Sequence, residues 1–112
     1  SNLGIILKDL GNLKEAELSL RKAIEIKPDL AEAHSNLGIT LRDLGNLKES
    51  ELSLRKAIEI KPDYANAHSN LGNTLRDLGK LEEARLCSEQ LMSLRSWSIL
   101  GSYSYNYEMK LD

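Results

Sequence analysis

Three asparagines, Asn2, Asn36 and Asn70, recur at intervals of 34 residues, each followed further along by a basic residue and an aspartate: Lys8-Asp9, Arg42-Asp43 and Arg76-Asp77. A carboxamide offers both a donor and an acceptor, so it can pair with a peptide unit whatever that unit's side chain. The charged rows suit either a solvated surface or cross-repeat ion pairs worth under ~1 kcal/mol each. His34 and His68 repeat at the same interval with no Cys, Asp or Glu clustered at metal-ligand spacing, so no metal site is expected. They read as packing residues with one polar edge. Cys87 reads as a partly buried helix residue, since a catalytic thiol needs a base and none stands out. The sequence holds no phosphate-binding glycine loop, nucleophile elbow or acid–base pair. Neither an enzyme nor a cofactor is expected.

Composition narrows the partners. The 112 residues carry 15 basic and 17 acidic side chains, net −2, spread evenly along the chain. That balance argues against a nucleic-acid surface or a polybasic membrane patch and leaves proteins or peptides as ligands. A single cysteine cannot form an internal disulfide, and no Asn-x-Ser/Thr sequon occurs, so a reducing cytoplasm is the expected location. Apolar runs fall far short of the ~20 residues of a membrane span, and no signal peptide is apparent. A chain this short buries only about 60–65% of its unfolded surface, which excludes a deep multilayer core but allows a thin, extended one.

The elements that must position these residues follow from the repeat. Residues 1–34 and 35–68 differ at five places, and residues 69–83 match 35–49 at twelve of fifteen positions before the likeness stops at Ala84. Such a period means stacked supersecondary units, none able to bury its apolar face alone. Leu37, Leu41 and Leu44 mark one face of a helix over about 31–44, and Leu47, Ser50, Leu54, Ala57 and Ile58 mark a second over about 47–60. Gly45-Asn46 supplies the turn of an antiparallel hairpin, as Gly11-Asn12 does one period earlier. Asn46 with Glu49, and Asn12 with Glu15, read as capping boxes. Pro62 ends the second helix, leaving Asp63 to cap the next. Gly38 costs roughly 1 kcal/mol in mid-helix, and its recurrence as Gly4 and Gly72 implies close approach of a partner helix. The fold class is therefore all-α, a solenoid of stacked helix hairpins: a partial repeat 1–30, a repeat 31–64, a degenerate repeat 65–95 and a non-repeat tail 96–112.

This unit resembles the tetratricopeptide repeat, a 34-residue helix-turn-helix. Leu37-Gly38, Leu41, Gly45, Leu47, Leu54, Ala57 and Pro62 fall on that family's signature places. Ser50 stands where the family prefers alanine, which Ala16 and Ala84 restore. His34 and His68 replace a frequent Trp or Tyr, and Leu7, Leu41 and Leu75 a common Tyr. The resemblance implies a right-handed superhelix whose first helices line a groove for peptides or proteins. Carried over residue by residue, that groove comprises Asn2, Ser35, Asn36, Ile39, Arg42, Asp43, Ser69, Asn70, Asn73, Arg76 and Asp77. Asn2, Asn36 and Asn70 are similar to the asparagine ladder in the repeat superhelix of protein O-linked N-acetylglucosamine transferases, which grips an extended peptide backbone. The carboxylate clamp of chaperone-adaptor repeats is not expected, because Ser1, Ile5, Asn66 and Asn70 stand where it needs Lys, Asn, Lys and Arg.

The implied function is a protein–protein interaction scaffold that binds an extended peptide. The second reading is a self-associating module, by end-to-end stacking or helix exchange, or an accessory segment of a larger transferase-type enzyme. Four of the five aromatic residues fall in the last sixteen positions. This tail is expected either to fold over the last helix as a cap or to stay unstructured.

Overall fold

The computed structural model describes residues 2–95. These residues form helices α1 (Asn2–Ile26), α2 (Ala31–Asp43), α3 (Leu47–Ile60) and α4 (Ala65–Asp77), followed by α5 over residues 81–95. Expectations for Ser1 and for the tail 96–112 lie outside the described residues. Helices α2 and α3 make the expected hairpin, and α4 with α5 makes the next. Helix α3 packs on both α2 and α4, and α1 packs on α2. The apolar core sits between the two hairpins, where Leu54, Leu71, Leu75 and Ala84 are buried and Ile58 and Cys87 pack against them.

The turns obey helix-end chemistry. Gly45 and Gly79 hold φ of +86° and +80°, a left-handed conformation that costs glycine nothing. The Asn46 N–H donates to the Leu41 carbonyl at 2.8 Å and the Gly45 N–H to the Arg42 carbonyl at 2.9 Å. Lys80 and Gly79 repeat both bonds onto Leu75 and Arg76, at 2.8 and 3.0 Å. This double bond pattern satisfies the last carbonyls of α2 and α4. It also removes the expected capping box. Asn46 stands at the N-cap of α3, yet its N–H is already committed to Leu41, so Glu49 has no donor to reach back to, and no side-chain cap bond forms. Asp63 likewise does not cap α4, whose N-cap residue is Tyr64.

The largest departure is at the first repeat. Gly11-Asn12 does not turn: α1 continues through it as one helix of 25 residues. Asn12 and Glu15 therefore lie inside a helix and form no capping box. Residues 9–15 and 43–49 are the same seven-residue sequence, Asp-Leu-Gly-Asn-Leu-Lys-Glu, so local preference cannot separate turn from helix. Tertiary packing does. Helix α2 is gripped by α1, α3 and α4, and that burial repays the turn. Among the described residues, 2–10 have the second half of α1 and α2 to fold onto, while the straight form gains the helical bonds across Gly11.

Candidate functional site

The expected groove residues lie mostly on α2 and α4. Both helices start after the turn at Pro28 or Pro62, and each turn is held by a histidine: His34 Nε2 bonds the Pro28 carbonyl and His68 Nε2 the Pro62 carbonyl, both at 2.8 Å. The two rings are otherwise buried, which matches a packing role with one polar edge.

Asn36 is exposed on α2, and Asn70 holds the same register, half-buried, on α4. Asn70 and Asp77 are seven residues apart, two helical turns, and so share a face. Arg42 Nε donates to Asp77 Oδ2 at 2.6 Å, tying α2 to α4. The basic and acidic rows thus meet in a cross-repeat ion pair between Arg42 and Asp77. With both side chains more than a third exposed, it contributes under ~1 kcal/mol and serves chiefly to fix register. Arg76 Nη2 donates to Asn73 Oδ1 along α4. Ile39, Asp43 and Ser69 are solvent-exposed, with Ile39 at 37%.

Two expected groove residues fall elsewhere. Ser35 is 1% exposed, closed in because α2 has neighbours on three sides, and it cannot line an open surface. Asn2 stands near the tip of α1, about 13 Å of helix beyond Gly11, because the first hairpin is open. It makes no rung beside Asn36.

Sequence reading missed a second polar system, on the second helices. Arg21 bonds Glu17 at 2.9 Å within α1 and Glu49 of α3 at 2.8 Å, and Arg55 repeats this with Glu51 at 2.8 Å and Glu83 of α5 at 3.6 Å. Lys80 adds a bond to Glu51 at 3.0 Å. Partial burial alone would raise the Glu51 carboxyl, but hydrogen bonds from Arg55 and Lys80 outweigh it and hold the group below the usual carboxylate range. The 34-residue spacing of Glu17 and Glu51, Arg21 and Arg55, and Glu49 and Glu83 was the available signal. Buried polar contacts also join helices: Ser50 Oγ donates to the Gly38 carbonyl at 2.6 Å and lies 3.1 Å from Thr74 Oγ1, linking α2, α3 and α4. Its one proton being committed, Thr74 is the donor between the two hydroxyls.

Two open clefts follow the same period. One of about 380 Å³ lies beside His34, Leu37 and Leu52, and one of about 350 Å³ beside His68, Leu71 and Leu86. Cys87 borders the second, and burial pushes its thiol pKa up, away from the reactive thiolate.

The family model for the TPR repeat matches residues 4–45 and 40–79, and one for the tetratricopeptide repeat matches 65–96. The chain belongs to the tetratricopeptide repeat family. No curated protein matches it in sequence. Among solved structures, this tetratricopeptide repeat chain is similar to MamA, with a TM-score of 0.75 and 22% identity over 79% of this chain. The match spans 52% of MamA, about half its length. The first TPR of Spaghetti (RPAP3), bound to the HSP90 peptide SRMEEVD, gives a TM-score of 0.73 at 24% identity, covering 83% of this chain and 74% of that one. The TPR2B domain of yeast Sti1, in a pHsp70 complex, gives 0.75 at 18% identity, covering 88% and 79%. At these identities the likeness establishes the fold, all-α stacked hairpins, with no strand among the described residues.

Proposed function

We propose that this chain is a protein–protein interaction scaffold whose α2/α4 face binds an extended peptide through Asn36 and Asn70. The observation that carries the reading is the shared register of these carboxamides on adjacent first helices, which the Arg42–Asp77 bond ties together. Helices pack ~8–10 Å apart and an extended peptide advances ~3.3 Å per residue, so successive rungs meet about every third residue. The RPAP3 repeat bound to an HSP90 peptide, and the Sti1 domain in its pHsp70 complex, support a peptide or protein ligand for this fold. An acidic C-terminal motif is not the favoured ligand, because Asn66 and Asn70 replace the cations that would hold it. Recognition through carboxamides is tolerant of side chains, and Asn73, Arg76 and Asp77 add the sequence preference.

Each rung contributes a net ~0.5–1.5 kcal/mol per hydrogen bond, so two rungs give micromolar or weaker binding before ordering costs. The test is a peptide array probed with the wild type and with Asn36→Ala/Asn70→Ala. The double variant is expected to lose about tenfold or more across most bound peptides. Equal retention by both proteins rejects the ladder.

A further inference from the structure

The first ten residues pose the most specific question in the molecule. Helix α1 buries none of its residues, and its first part exposes Leu3 at 65%, Ile6 at 54% and Leu7 at 60%. One period later the matching residues are the core of a closed hairpin: Leu37 is 4% exposed, Thr40 8% and Leu41 0%. The chain therefore contains its own template for what covers residues 2–10. That cover is a helix with the sequence of residues 13–26, since α3 differs from this segment only at Ser50 in place of Ala16.

We propose that two copies of this chain exchange residues 2–10. Each arm lies antiparallel on the 13–26 segment of the other copy and reproduces the α2–α3 packing between chains. The template fixes the register. A Cβ on Gly38 would come within 2.5 Å of Leu54 Cγ, so Gly38 and Leu54 face each other. The equivalent pair is Gly4 with Leu20 of the second copy. That pairing puts a two-fold axis beside Asn12, makes the interface isologous and lets both straight α1 helices run through it unbroken. Charge agrees with the register. Arg42 reaches Asp77 between α2 and α4, and the same offset brings Lys8 of the second copy to Asp43. Gly11 is the hinge. In the closed hairpins its counterparts Gly45 and Gly79 are left-handed, whereas in α1 Gly11 is helical. The exchange stands independently of the groove reading, and it would bring Asn2 of the second copy into the rung before Asn36.

The experiment is light scattering on the 112-residue chain across a concentration series, with two hinge variants. The wild type is expected to shift from monomer to dimer. Gly11→Ala removes the residue that tolerates the closed turn and favours the straight helix, so it should tighten the dimer by about tenfold or more. Leu13→Pro interrupts the straight helix but suits the first position of a closed second helix, with Asn12 in the extended region before it. It should be monomeric while circular dichroism retains most of the helix signal. A wild type that stays monomeric at every concentration overturns the exchange and leaves the arm to some other partner. A dimer that persists in a folded Leu13→Pro variant also overturns it, because association would then use another face. Should Leu13→Pro fail to fold, the Gly11→Ala dissociation constant decides: an unchanged or weaker dimer rejects the hinge.

Discussion

At the scale of single residues, recurrence in the sequence does not mean recurrence of cause. Gly38 and Gly72 occupy the same register, and the expectation of a close helix contact holds at Gly38. A Cβ there would sit 2.5 Å from Leu54 Cγ, and Leu54 is fully buried and cannot retreat. At Gly72 the nearest atom to a Cβ is Cys87 Cβ at 3.5 Å, an ordinary contact, because Ser88 stands where the previous copy has Leu54. Gly38→Ala is therefore expected to destabilise by about 1–3 kcal/mol through overpacking. Gly72→Ala should stabilise by about 0.5–1 kcal/mol, because the helix loses a glycine and gains no clash. Urea unfolding of the two variants checks both signs, and equal effects would refute the distinction. Ser50 offers a comparable contrast with Ala16 and Ala84: its hydroxyl joins three helices, so Ser50→Ala should cost about 1 kcal/mol although alanine is the family's preference there.

At the scale of elements, the second hairpin and the start of the third were legible because the apolar spacing of Leu37, Leu41, Leu54 and Ala57, the turn at Gly45 and the stop at Pro62 all agree. Helix α1 was not, since its Gly11-Asn12 is identical in sequence to a true turn and only packing tells them apart. The register of the proposed groove residues was legible on α2 and α4. The expectation failed at Ser35, whose burial is set by three neighbouring helices, and at Asn2, whose place depends on the open hinge. The ion-pair system of the second helices was overlooked because charged residues at i, i+4 look like ordinary solvated surface. Its cross-helix members have a pH signature. The Glu51 carboxyl is held below its usual range, so its contribution is complete above that range and disappears as the pH falls through the lowered value. Glu51→Gln should lower stability by about 1 kcal/mol near neutral pH, and the gap to wild type should close as the pH falls through the lowered value of the carboxyl. A gap that is constant with pH would show that Glu51 acts through packing alone.

At the scale of the whole molecule, the radius of gyration is 18.0 Å, against about 13 Å for a compact domain of this length. Stability in such an array is close to a sum of hairpin and neighbour terms, so it is distributed unevenly along the chain. The fully buried residues Leu41, Leu54, Ala57, Ala67 and Leu75 all lie on α2, α3 and α4, while α1 has none. Opening free energy follows that distribution, since amides exchange through local unfolding wherever few apolar contacts resist it. Hydrogen exchange read by mass spectrometry on dilute protein should therefore find the slowest amides in α3 and in the stretches of α2 and α4 against it. Residues 2–10 should exchange fastest although they are as helical as residues 36–43. Their side chains are all exposed, and a helix with so little packed against it opens readily in water. Equal protection of the two stretches in dilute solution would mean that the arm is folded back onto its own chain, with Gly11 turned as Gly45 is.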